Sequence, residues 1–216
     1  MTPIKLVSEK QSDSQFSVRT AGLVSFGRSE LRVEVSDSEL LEEAGEFLRF
    51  ASNYLTTSGN RIRAGETMPY GYWLVKFQEG GSKTLETWEY NAEATDFVKG
   101  VNLTLYYWRE QHLICKQHHA EFRPPRPDKL TVISKGVLEG LPVQGVRYPS
   151  PDPMSGWWIT TDQYDGDTNS LKREHTYHIT AARPDLAKYL ALPKGFRFDL
   201  SVREDVWLDE KVVSAS

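Results

Sequence analysis

Hydrophobic positions along this chain keep two different periods, and the change from one to the other marks the elements. Leu40, Leu41, Ala44, Phe47, Leu48, Ala51, Tyr54 and Leu55 recur at steps that place them on one stripe of an α-helix. Ser36 and Glu39, ahead of this run, stand at capping-box spacing, and Gly59 supplies a stop. The polar side of the predicted helix carries Glu39, Glu42, Glu43 and Glu46. Such a row reads first as a solvated acidic face and second as a surface for a partner.

Elsewhere the period is two. Gln15 to Arg19 and Glu30 to Val35 read as extended, the latter with Leu31, Val33 and Val35 on one face. Tyr70 to Phe77 and Thr84 to Tyr90 are predicted strands joined by the turn Glu79-Gly80-Gly81-Ser82. Val101 to Trp108 and Leu113 to Phe122 are predicted as a second hairpin.

Arg123-Pro124-Pro125-Arg126-Pro127 cannot lie in a central strand, because proline lacks the N–H that the ladder needs. A linker over residues 123–130 is therefore expected, between an α+β module at 1–122 and another at 131–216. Beyond Pro149-Ser150-Pro151-Asp152-Pro153, Gly156 to Thr161 and Glu174 to Thr180 are predicted strands. Pro184 opens a short helix at Asp185 to Leu190, and Pro193-Lys194-Gly195 turns the chain into a strand from Phe196 to Leu200. The expected fold class is α+β, with mainly antiparallel sheets, one long N-terminal helix and a short C-terminal one.

Composition narrows the function classes. Hydrophobic residues at 39% and charged residues at 26% of 216 residues describe a chain able to bury a core rather than a disordered one. A net charge of −4 gives no basic footprint, so nucleic acid is not the expected partner. Met1-Thr2-Pro3-Ile4-Lys5 lacks the apolar run of a signal peptide, and no later stretch is long enough to span a membrane. Cys115 is the single cysteine, so no internal disulfide can form, and the expected location is the cytoplasm.

No Gly-x-Ser-x-Gly elbow occurs, and Gly80-Gly81-Ser82-Lys83-Thr84 lies between strands, without the Gly-Lys-Ser/Thr order of a phosphate loop. In strands His118 and His119 would point to opposite faces, as would His175 and His178, so neither pair is expected to grip one metal. Cys115, in an apolar strand, reads as small core filling. Asp162, Asp165 and Asp167 crowd a loop with Gly166, but their spacing is not that of an EF-hand. No catalytic residue, metal or cofactor is assigned.

Trp157 and Trp158 are neighbours on a predicted strand and face opposite ways, so only one is expected in the core, and the other is either a contact for a partner or covered by a second packed layer. The predicted binding residues are Trp158, Asp162, Tyr164, Asp165, Asp167 and Glu174, with Glu39, Glu42, Glu43 and Glu46 of the first helix.

Met154-Ser155-Gly156-Trp157-Trp158-Ile159-Thr160, the acidic loop, His175-Thr176-Tyr177-His178, Leu192-Pro193-Lys194-Gly195-Phe196 and Val206-Trp207 follow one another in an order that resembles the SGW-motif immunity proteins of bacterial polymorphic-toxin systems. Thr20-Ala21-Gly22-Leu23, Phe26-Gly27 and Glu30-Leu31-Arg32-Val33 before the long helix resemble suppressor-of-fused-like domains, although Arg28-Ser29 stands where those have a His-Pro pair. The two resemblances imply a non-enzymatic antitoxin that neutralises a cognate toxin, such as a type VI effector, by binding and occluding it. The competing readings are a metal-dependent hydrolase using Asp162, Asp165, Asp167 and His175, and an effector adaptor or chaperone.

Overall fold

The computed structural model describes residues 4–12, 14–57 and 59–214. The chain divides into two compact units, the first reaching Asn91 and resuming at Thr95–Arg109, the second comprising Ala92–Ala94 and Glu110 onward. Each contains a mixed sheet, so the molecule is α+β, with one parallel strand pair per sheet among the described residues.

In the first unit the strands are β1 (Lys5–Ser12), β2 (Gln15–Ala21), β3 (Glu30–Val35), β4 (Thr67–Tyr70), β5 (Trp73–Glu79), β6 (Thr84–Tyr90) and β7 (Phe97–Lys99). They are ordered β1-β2-β3-β6-β5-β4, with β7 on β6; β3 and β6 run parallel. Helix α1 (Leu41–Thr56) buries Ala44, Phe47, Leu48, Ala51 and Leu55 against Val18, Leu31, Val33, Val75 and Phe77. This is the helix that the apolar stripe predicts. Its cap differs from expectation. Asp37 accepts the Glu39 N–H and opens a 3-10 turn that leads into α1, while the Ser36 N–H and hydroxyl both donate to the Asn102 side chain.

The predicted second hairpin is instead one helix, α2 (Asn102–Gln117). Val101, Thr104, Leu105, Ile114 and Cys115 are buried at helical intervals, a period hidden by the strand-like composition of Tyr106, Tyr107 and Trp108. The Glu89 carboxylate on β6 satisfies the first N–H groups of α2, at Leu103 and Thr104. A cap that comes from fourteen or fifteen residues upstream gives no local signal. His118 and His119 therefore follow a helix end, not a strand, with His119 at φ 50 and the Ala120 N–H closing onto the Cys115 carbonyl. Cys115 is core filling on the helix, and burial pushes its thiol up to about 11.

In the second unit the strands are β8 (Leu130–Ile133), β9 (Gln144–Arg147), β10 (Met154–Thr160), β11 (Lys172–His175), β12 (Phe196–Asp199) and β13 (Asp205–Leu208). Their order is β11-β8-β10-β9-β12-β13, with β8 and β10 parallel. The predicted strand at Glu174 to Thr180 ends at His175, and Thr176–Ala182 form α3. The His175 and His178 rings consequently lie 5.9 Å apart rather than on opposite faces. Pro184 opens a 3-10 helix to Ala191, and Glu210–Ser214 form α4.

Within this unit residues 123–127 form no regular element, yet the chain there is held. The Arg123 N–H donates to the Ala191 carbonyl, and the Pro127 carbonyl accepts from the Tyr177 N–H.

Candidate partner-binding face

The two faces of the second sheet are made differently, and Ser155-Gly156-Trp157-Trp158 sets the difference. Trp157 is fully buried, donates its indole N–H to the Leu190 carbonyl at 3.1 Å and packs against Phe198 at 5.4 Å. Ser155 is buried beside it, where its hydroxyl meets Thr131 at 2.7 Å and accepts the Trp157 N–H at 3.2 Å. Gly156 has φ +87, and a Cβ there would stand 2.5 Å from the Tyr148 carbonyl oxygen, so only glycine fits without a shift of backbone. These three residues serve the fold.

Arg147, directly across from Trp157, extends that inner face. Its guanidinium lies 5.9 Å over the Trp157 ring and donates to the carbonyls of Ser155, Arg123, Leu190 and Leu192. Burial pulls its pKa down to about 10, which leaves it charged at neutral pH. One cation thus ties three separate segments together through backbone oxygens.

Trp158 points the other way. Cross-strand partners share a face, and the register runs Arg173–Val132–Trp158–Val146–Arg197–Trp207 across all six strands. Val132 is buried, Trp158, Val146 and Arg197 are half-buried, and Trp207 is 40% exposed on the edge strand. Tyr148 meets Trp158 edge to face at 5.8 Å, and Arg197 is pinned by Asp209 at 2.7 Å. The adjoining row is Thr160–Gln144–Asp199–Asp205, polar and acidic. Two indoles, a valine and a held cation beside an acidic border combine anchoring rings with a charged rim, the composition of protein interfaces.

The predicted residues fall into four places. Trp158 lies on this face. Asp162, Asp165 and Asp167 are exposed in the loop after β10, and Tyr164 is half-buried there. Two of these acids shape the loop: Asp165 accepts the Asp167 N–H, and Asp167 accepts the Asn169 N–H, each at 2.9 Å. Glu174 pairs across β11 with Thr131, hence on the face opposite Trp158, and reaches His178 at 3.5 Å. The glutamates of α1 belong to the first unit. There Glu46 accepts the Trp108 indole N–H, Glu43 lies 3.9 Å from Arg109, and Glu39 and Glu42 are exposed. Sequence reasoning did not single out Val146, Tyr148, Arg197 or Trp207 for binding. Only strand order and register bring them beside Trp158.

Among the described residues no group of three or more His, Cys, Asp or Glu side chains is placed to hold a metal ion, and no helix is long and apolar enough to cross a membrane.

Residues 110–209 match the family model of the Imm33-like domain. No curated protein and no solved structure matches the chain. The match likens this segment to an immunity-protein-like domain. It supports neither the SGW-motif family specifically nor the suppressor-of-fused-like resemblance of the first half.

Proposed function

We propose that this protein is an immunity protein that binds and occludes a cognate bacterial toxin. The observation that carries the reading is the Imm33-like match over residues 110–209, which spans the entire sheet bearing Trp158 and Trp207. The contact surface in this reading is the Trp158–Val146–Arg197–Trp207 face with the loop holding Asp162, Tyr164, Asp165 and Asp167. Rings half-exposed on a rigid sheet lose little freedom on binding, so they hold a complex, while exposed carboxylates beside them speed encounter with a cationic partner. Glu174 and the acidic row of α1 are auxiliary contacts, the toxin is a secreted effector such as one of type VI systems, and inhibition takes place in the cytoplasm. The N-terminal module, of suppressor-of-fused-like kind, contributes further surface.

The test is co-expression with the toxin encoded beside this gene. The expected result is rescue of growth and a one-to-one complex on co-purification with an inactive toxin variant. A toxin that still kills, and fails to co-purify at micromolar concentrations, overturns the reading.

A further inference from the structure

The first unit carries a second surface with a chemistry of its own. An apolar groove of about 270 Å³ lies between the outer side of α1 and the edge strand β4. Phe50, Tyr54, Ile62, Met68 and Pro69 form its walls, with Arg61 and Glu66 among its lining. Phe50 and Tyr54 are 46% and 42% exposed, too much for groups whose task is to fill the core. The volume falls below the roughly 300–1,000 Å³ of small-molecule sites and suits an inserted side chain. Pro69 has no N–H to offer, so a partner adding a strand to β4 would find the ladder interrupted. Side-chain insertion, not strand addition, is the mode that this groove supports.

Charge identifies the occupant. Glu42, Glu46, Phe50 and Tyr54 follow one another at four-residue steps and are all exposed, so they form one stripe along α1, acidic at its N-terminal half and aromatic at its C-terminal half. Glu39 prolongs the acidic end, and neither it nor Glu42 has an ion pair among the described residues. Successive turns are spaced by about 5.4 Å. We propose that this stripe and groove dock an amphipathic helix of another protein, one that inserts a bulky apolar side chain between Phe50 and Met68 and sets lysine or arginine one and two turns away against Glu46 and Glu42. The inference does not depend on the toxin reading, because its test uses a defined peptide.

The probe is an alanine-rich synthetic helix carrying one leucine and, one and two turns along, two lysines. It is titrated into the full-length isotope-labelled protein. Amide shifts should concentrate at Phe50, Tyr54, Ile62 and Met68 and extend to Glu42 and Glu46. Replacing Phe50 and Tyr54 together by serine, or Glu42 and Glu46 together by lysine, should weaken binding about tenfold, corresponding to about 1.4 kcal/mol. All four side chains are exposed, so thermal melting should show both variants folded. Absence of saturable shifts, shifts centred elsewhere, or equal binding of a peptide with glutamates in place of the lysines would each overturn the proposal.

Discussion

The Glu89 carboxylate of β6 accepts the Thr104 backbone N–H at 2.6 Å and the Thr104 hydroxyl at 2.7 Å, so a strand residue closes the start of α2. Burial drives the pKa of Glu89 up to about 7, against the lowering effect of Thr104 and the first N–H groups of the helix. A carboxyl raised in the folded state holds its proton more tightly there than in the unfolded chain. Its contribution to stability is therefore complete below the unfolded value near 4.5 and is lost as pH rises through about 7. Melting temperature should fall across that window, and Glu89→Gln should flatten the fall while still offering an oxygen to the cap. A wild-type profile that rises from pH 5 to 7, with the variant parallel to it, would refute this.

Gly156→Ala should destabilise the protein by roughly 2–3 kcal/mol, because it adds a backbone clash to a disfavoured φ. Gly166 is the control: its φ is +89, but nothing lies within 4 Å of the position of an added Cβ. Gly166→Ala should cost about 1 kcal/mol, the conformational part alone. Equal losses in chemical denaturation would show that the approach of the Tyr148 carbonyl is not what requires the glycine.

The two adjacent tryptophans should separate stability from binding. Trp157→Ala removes a fully buried ring and should cost about 3–5 kcal/mol of folding free energy. Trp158→Ala and Trp207→Ala should leave the melting temperature within a few degrees but weaken the toxin complex by about 2 kcal/mol each, roughly thirtyfold. Titration calorimetry with an inactive toxin variant gives the answer. Wild-type affinity in both surface variants would move the contact off this face.

Converting Asp162, Asp165 and Asp167 together to asparagine removes charge but keeps an acceptor oxygen for the two turns that Asp165 and Asp167 close. The fold should persist, while association with the toxin slows and its dependence on salt weakens. Unchanged association rates at low and high salt would leave the loop as a solvated turn.

What the sequence disclosed depends on where each signal resides. The apolar stripe of α1 and the alternation of β3 are local, and both are found where periodicity puts them. Helix α2 is not legible locally, because three aromatic residues in a row resemble a strand and because its cap arrives from β6. Adjacency implied that only one of Trp157 and Trp158 could be core, and the structure makes Trp157 that one. The company Trp158 keeps could not be read, since Val146, Arg197 and Trp207 join it through the order β10-β9-β12-β13, which no short window of sequence contains.

The boundary between the two units falls inside α2, after Arg109, and the Imm33-like match begins at the next residue. A gene fragment cut at that point would start halfway along a helix, with four N–H groups newly bare and Glu89 left behind on the discarded piece. About two turns would remain on either side, too few to hold helical shape in water by themselves. Expression trials and module-swapping experiments should therefore treat Asn102–Gln117 as indivisible, and place the seam before the helix begins or after it ends.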